Sequence, residues 1–336
     1  MMLGSANGAP VSITGLGTHV PERVVTNDDL AQLVDTSDEW ILTRTGIRER
    51  RFVRDEEALS DIALPAARAA LDQAGVTARD IDLLIVATVT ADMQFPSTAA
   101  ILADRLDAGD AAAYDLAAGC TGFMYGLAQA FGMVESGLSK RALVVGGDVL
   151  SKLMNFADRS TCVLFGDGAG AVVVERVAKE GFLGFELGAD GGGGMDLHLP
   201  AGGSRQPTTA ETVANGAHYV RMNGREVFKF ATRVLVSSAQ AVLAECDLST
   251  DDVDVYVPHQ ANVRIIDHAV AKLGIPKEKV IVNVDRYGNT SSASIPLALA
   301  DAITSGLVHE GDTVLMTGMG AGLTWGSAVM RWTGPL

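Results

Sequence analysis

The stretch AALDQAGVTARDIDLLIVA, Ala69 to Ala87, is echoed 172 residues later by AVLAECDLSTDDVDVYVPH, Ala241 to His259. Each copy reads as an alanine-rich helix, a short turn opened by a capping Thr or Ser, an acidic pair, and an apolar strand. A second pair keeps nearly the same spacing: ESGLSKRALVVGGD from Glu135 matches TSGLVHEGDTVLMTGMG from Thr304, at an offset of 169 that grows to 172 by the following strand. Further short strands, Val11 to Leu16, Ala169 to Val177 and Ser327 to Trp332, alternate with helical segments, as βαβ units do when helices cover both faces of a sheet. The repeat predicts an α/β protein of two similar halves, 1–178 and 179–336, packed against each other.

Length and composition agree with this division. The chain has 336 residues, 48% of them hydrophobic and 20% charged, enough to bury a large core and too apolar for disorder. Its net charge of −15 argues against nucleic acid or an anionic membrane as the main partner, because both need a positive field. Any anionic ligand must find a local basic patch. The start, Met1 to Pro10, has neither a charged region nor an apolar run and reads as a floppy leader without a signal peptide, so the expected compartment is the cytoplasm. Cys120, Cys162 and Cys246 are odd in number and far apart, which fits free thiols better than disulfides or a metal site. The histidines His19, His198, His218, His268 and His309 fall in turns or on helix surfaces without ligand spacing, and no metal is expected.

The repeat also locates chemistry. Adding its offset to Cys120 lands on Thr290 to Ser292, just after RYGNT, so the Gly-Cys and Gly-Asn junctions are expected to be related by a pseudo-twofold, each opening a helix. His259 ends the strand VDVYVPH, where ligands bind in α/β sheets. Cys120, His259 and Asn289 are thus expected to converge between the halves. The plain alternatives are a buried apolar cysteine, a structural histidine and a helix-capping asparagine. A thiol after Gly119 at a helix start would feel the positive end of the helix dipole, which favours thiolate. The segment Asp115 to Val134 is long and apolar enough for a membrane span, but it reads as a core helix enclosed by both halves. FGDGAGA from Phe165 and GMGAGLTWG from Gly318 lack the G-x-G-x-x-G spacing and run into strands, so they read as tight turns and no nicotinamide site is expected. Gly191 to Gly194 reads as a mobile surface loop.

Motifs spread over nearly the whole chain resemble one family, the β-ketoacyl-acyl-carrier-protein synthases III of the thiolase-like condensing enzymes. They are DTSDEWILTRTGIRERR (Asp35 to Arg51), AAGCTGF (Ala117 to Phe123), FGDGAGA (Phe165 to Ala171), LPAGGSR (Leu199 to Arg205), VPHQANVRI (Val257 to Ile265), YGNTSSASIP (Tyr287 to Pro296) and GAGLTWGSA (Gly320 to Ala328). The resemblance implies a thiolase-like fold with a layered α/β/α/β/α core. It implies a nucleophilic Cys120 partnered by His259 and Asn289, with an oxyanion hole from the backbone N–H groups of Cys120 and Ala321. Many relatives carry Gly at the position of Ala321.

By the same resemblance Trp40 and Arg159 hold the adenine of coenzyme A with Arg44 nearby, and Gly224 and Asn262 line the pantetheine channel. Arg264, Lys229 and Lys272 would form the basic patch for an acidic carrier protein, and Phe95 in DMQFPST would reach into the acyl pocket of a homodimer partner. The implied reaction is decarboxylative condensation of an acyl-CoA starter with malonyl-acyl-carrier protein, with no cofactor. Three other readings stay open: a starter enzyme of a secondary pathway, an acyltransferase to oxygen or nitrogen, and a non-catalytic acyl-binding protein.

Overall fold

The computed structural model describes residues 2–4 and 9–336. The repeat is realised atom for atom at its turns. Thr77 receives its cap from Asp80, whose Oδ2 accepts from the Thr77 N–H at 2.8 Å and hydroxyl at 2.6 Å. Ser249 and Asp252 make the same pair of bonds, both at 2.8 Å. Such caps satisfy a backbone N–H at the head of a short helical turn and fix where the following strand begins. Those strands are Leu83–Ala87 and Val255–Pro258.

Two five-stranded sheets result. One runs Val11–His19, Gly168–Arg176, Arg141–Asp148, Leu83–Ala87, Ala112–Leu116; the other runs Met2–Gly4, Phe182–Ala189, Thr324–Arg331, Thr313–Gly320, Val255–Pro258. Leu83–Ala87 pairs in parallel with Arg141–Asp148 and with Ala112–Leu116, and Val255–Pro258 pairs in parallel with Thr313–Gly320; beyond Arg141–Asp148 and Thr313–Gly320 the strands are antiparallel.

Helices Gly122–Glu135 and Ser294–Thr304 fill the space between the sheets. Phe123, Met124, Leu127, Phe131 and Val134 are buried there, and the Phe131 ring meets Phe182 and Phe185 from the opposite sheet at 6.1 and 5.3 Å. Each such side chain contributes roughly 1.5–3 kcal/mol on burial. Helices Leu59–Ala74 and Thr98–Leu106 cover the outside of the first sheet, and Gly224–Glu245 and Val263–Leu273 the outside of the second. The core is the expected five-layer α/β/α/β/α arrangement. The apolar run ending at Val134 is a 14-residue core helix. Gly224–Glu245 is the one described helix long and apolar enough to cross a membrane, and it lays Phe230, Val234, Leu235 and Val242 against the second sheet.

Several local expectations need correction. Met2–Gly4, read as part of a floppy leader, forms an edge strand on Phe182–Ala189, because that edge offers unpaired backbone groups; Met1 and residues 5–8 lie outside the described residues. Val11–His19 continues past Leu16, since Gly17 and Thr18 stay in register with Ala171 and Gly170. The last strand is Thr324–Arg331, starting three residues earlier than read, because a tight turn folds it back on Thr313–Gly320. Gly191–Asp196 is a 3-10 turn capped by Asp190, and reciprocal backbone bonds of 2.8 and 2.9 Å tie Asp190 to Leu323.

Candidate active site

Cys120 sits in the 3-10 turn Gly119–Thr121 that leads into the core helix Gly122–Glu135. The matching turn, Ser291–Ala293, leads into Ser294–Thr304 and lies at the offset of the repeat. The two turns touch: the Ser292 hydroxyl donates to the Gly119 carbonyl at 3.1 Å, and its N–H and hydroxyl both reach the buried Asp148 carboxylate. The opposite side of Cys120 is the end of Thr313–Gly320. A Cβ on Gly119 would lie 2.6 Å from Ala321 N, and one on Gly320 would lie 2.4 Å from Cys120 N. Two glycines thus let the backbones of Cys120 and Ala321 lie side by side.

His259 follows Val255–Pro258 and is held by its N–H on the Thr317 carbonyl at 2.8 Å. It is 1% exposed. Nδ1 lies 2.5 Å from Ser294 Oγ, while Nε2 is buried with no partner in the protein. Burial pulls its pKa down to about 4, so the ring is neutral near pH 7. Asn289 is fixed by its own backbone, with its N–H on the Leu164 carbonyl at 2.8 Å and its carbonyl accepting from Gly166 at 3.0 Å. Its Oδ1 accepts the Ser291 N–H at 2.9 Å, leaving Nδ2, a donor, as the free end of the amide.

Cys120, His259 and Asn289 line one cavity of about 340 Å³, together with Trp40, Arg44, Arg159, Gly224, Asn262 and Arg264. At its mouth the Arg44 and Arg159 guanidinium carbons lie 4.5 and 5.0 Å from the Trp40 ring centre, and Arg159 donates to the Asp35 carbonyl at 2.7 Å. Asn262 caps Val263–Leu273 through the Arg264 N–H and donates to the Arg44 carbonyl at 3.0 Å. A second cavity of about 230 Å³ opens on the other side of Cys120, with apolar walls that include Val89, Leu150, Leu153, Leu199, Val220 and Ala321.

The remaining candidates stand apart. Lys229 is exposed and paired with Glu226 at 2.7 Å, one residue from Phe228, over which Arg264 stacks at 5.7 Å. Lys272 is exposed near the far end of the Arg264 helix. Phe95 is 85% exposed and lines neither cavity.

One expectation reverses. Cys120 is a thiol at rest and not a thiolate: burial pushes its pKa up to about 12, outweighing a helix terminus that starts only as a 3-10 turn, and the buried Asp148 charge pushes the same way. His198 is also not on a turn or helix surface. It lies in the two-residue strand Leu197–His198 and lines the apolar cavity; His19 ends the strand Val11–His19. Sequence reasoning missed Ser294, Asp148 and the leucines of the second cavity. The only signal for Ser294 was its place in SSAS after Asn289, at the start of the helix that matches the one after Cys120.

Comparison with known proteins agrees with this fold. Residues 114–191 match the family described as 3-oxoacyl-[acyl-carrier-protein] synthase III, and residues 243–332 match the C-terminal part of the same family. The β-ketoacyl-[acyl-carrier-protein] synthase III of Symbiobacterium thermophilum is 57% identical over 96% of this chain and 98% of its own. The crystal structures of the 3-oxoacyl-[acyl-carrier-protein] synthase III of Aquifex aeolicus and of the corresponding synthase of Thermus thermophilus are 45% and 48% identical. Each superposes with a TM-score of 0.89 over 96% of this chain and 100% of the other. The priming β-ketosynthase of the R1128 polyketide pathway, 37% identical, superposes with a TM-score of 0.89 over 98% of each chain. With its five-layer core and its Cys, His and Asn gathered between two sheets, the chain belongs to the 3-oxoacyl-[acyl-carrier-protein] synthase III family of condensing enzymes.

Proposed function

We propose that the chain initiates fatty-acid synthesis by condensing an acyl-CoA starter with malonyl-acyl-carrier protein, through an acyl group carried on Cys120. The observation that carries this reading is the position of Cys120 between two cavities of different character. One reaches the surface and is lined by aromatic and cationic groups, Trp40, Arg44 and Arg159, which suits a nucleotide with a pantetheine arm. The other is apolar and suits the acyl chain. Two halves, 1–178 and 179–336, contribute Cys120 on one side and His259 and Asn289 on the other.

In the first half-reaction the Cys120 sulfur attacks the thioester carbonyl, CoA leaves as the thiol, and the proton of Cys120 ends on the CoA sulfur. The side-by-side N–H groups of Cys120 and Ala321 hold the oxyanion, a contribution of about 3 kcal/mol per donor. In the second, malonyl-acyl-carrier protein loses CO2 and becomes an enolate. A neutral His259 and the Asn289 amide donate to its oxygen without adding negative charge. The carbanion attacks the acyl-Cys120 carbonyl, the C–S bond breaks, and the released thiolate takes up one proton. That uptake is downhill at a site where the thiol is favoured up to about pH 12.

Trp40, Arg44 and Arg159 are assigned to the CoA adenine, and Gly224 and Asn262 to pantetheine. Arg44 and Arg159 both lie over the Trp40 ring, which supports that assignment. Arg264, Lys229 and Lys272 are assigned to the acidic carrier protein, supported by the mouth position of Arg264 on an otherwise acidic chain. A homodimer is supported by the exposed Val89, Met93, Phe95 and Leu199, an apolar patch beside the second cavity. Three free cysteines fit a reducing cytoplasm. The likeness to a priming β-ketosynthase of a polyketide pathway favours one second reading, a starter enzyme of secondary metabolism on the same chemistry.

The test is to incubate the protein with a panel of acyl-CoAs, seek the mass increment on the Cys120 peptide, then add malonyl-acyl-carrier protein and measure CO2. An adduct discharged with CO2 release supports condensation. No adduct with any acyl-CoA sinks the enzyme reading, and an adduct without CO2 points to plain acyl transfer.

A further inference from the structure

The proton on the His259 ring has two possible places, and the buried surroundings distinguish them. Ser294 Oγ lies 2.5 Å from Nδ1 and also receives the Gln260 N–H at 3.4 Å. Among the described residues Nδ1 is the one acceptor that the Ser294 hydroxyl proton meets. Ser294, His259 and Gln260 are all buried, so a proton or lone pair left over between Ser294 and Nδ1 goes unsatisfied.

If Nδ1 carried the ring proton, it would donate to Ser294 Oγ. The Ser294 proton would then have no acceptor, and Nε2 would keep an unpaired lone pair: two unsatisfied groups. If Nε2 carries it, Ser294 donates to Nδ1 while accepting from Gln260, and only the Nε2–H is left unpaired. That one orphan borders the cavity shared with Cys120 and Asn289, where a substrate oxygen would satisfy it.

We infer that Ser294 is a positioning residue that fixes His259 as the Nε2–H tautomer, presenting a donor beside Asn289 Nδ2 to the malonyl thioester oxygen. This rests on the reading of His259 as a donor to the enolate. No bond is made or broken at Ser294; it keeps one proton on Oγ throughout, and its hydrogen bond selects which ring nitrogen is protonated. The same arrangement makes His259 a poor base for the Cys120 thiol, since Nε2 already bears its proton.

The experiment combines spectroscopy with a split of the two half-reactions. With 15N-histidine-labelled protein at pH 7, and His259 assigned by its loss in His259→Gln, Nε2 is expected to show the shift of a protonated nitrogen and Nδ1 that of an unprotonated one. A protonated Nδ1 in active wild-type protein overturns the inference and leaves the condensation reading standing. In Ser294→Ala, CO2 release from malonyl-acyl-carrier protein is expected to fall about 10- to 100-fold, with a smaller loss in acyl transfer to Cys120. Ser294→Thr, which keeps the hydroxyl, is expected to recover most of the CO2 release. Equal loss of both half-reactions in a folded Ser294→Ala protein would overturn the inference. Wild-type protein that binds acyl groups yet releases no CO2 would instead overturn the functional reading on which it rests.

Discussion

Gly119 and Ser291, equivalent in the repeat, share a backbone that L side chains rarely adopt, with φ +58 at Gly119 and +53 at Ser291. The left-handed turn that brings Cys120 to the end of its helix is therefore built twice, once with the residue suited to it and once with a serine. A serine there costs on the order of 1 kcal/mol, and its side chain faces the Cys120 thiol. Ser291→Gly is expected to raise the unfolding midpoint by roughly 1–3 °C, read by calorimetry. Gly119→Ala has the opposite sign and a larger size, because its Cβ would meet Ala321 N at 2.6 Å. A loss of about 3 kcal/mol is expected from denaturant titration. An unchanged midpoint for Gly119→Ala would contradict the close packing of Cys120 against Ala321.

Cys120 alkylation by iodoacetamide should rise about tenfold for each pH unit between pH 7 and 10 without levelling off, since its thiol is held protonated to about pH 12. A plateau near the ordinary thiol range would mean that the helix terminus outweighs burial.

The pH dependence of His259 has the same origin, burial, and the opposite direction. Its pKa falls from 6.5 unfolded to about 4 folded, so between those values the unfolded chain binds a proton that the folded protein does not. Stability from this group is complete above pH 6.5 and is lost as pH falls toward 4, by about 3 kcal/mol in all. CO2 release should accordingly show no acid inflection near pH 6.5, and His259→Gln should lose less stability than wild type between pH 7 and 4.5. An inflection at the ordinary histidine pKa would show that the ring is solvated.

Trp40→Ala should raise KM for acyl-CoA about tenfold while kcat stays within a factor of two, because an indole in its proposed place at the nucleotide end binds equally in ground and transition states. Steady-state kinetics over a range of acyl-CoA checks this. A fall in kcat with unchanged KM would place Trp40 in the chemistry instead.

The fold was legible because the repeat is carried by residues that act locally. Thr77 with Asp80 and Ser249 with Asp252 cap the same turn, and an apolar strand follows each. The convergence of Cys120, His259 and Asn289 followed from that repeat and from the strand end at His259. What stayed hidden depends on contacts between distant segments. The raised pKa of Cys120 comes from enclosure by both sheets and from Asp148, which no helix-dipole argument contains. The second cavity is walled by Val89, Leu150, Leu153, Leu199 and Val220, residues spread over four stretches of chain. The tautomer of His259 turns on one hydroxyl 35 positions away. Met2–Gly4 becomes a strand only because the edge of Phe182–Ala189 is there to receive it.

The proposed division of labour at the site, with Cys120 carrying the acyl group and Asn289 serving only the condensation, is tested most directly by a single-turnover comparison of wild type and Asn289→Ala. The acyl adduct on the Cys120 peptide and CO2 from malonyl-acyl-carrier protein are followed in the same samples. The account predicts that the adduct forms in both proteins and that CO2 release falls about 100-fold in the variant alone, the loss of one oxyanion donor. Equal loss of adduct and CO2 in Asn289→Ala, or an adduct on any residue other than Cys120, would contradict it.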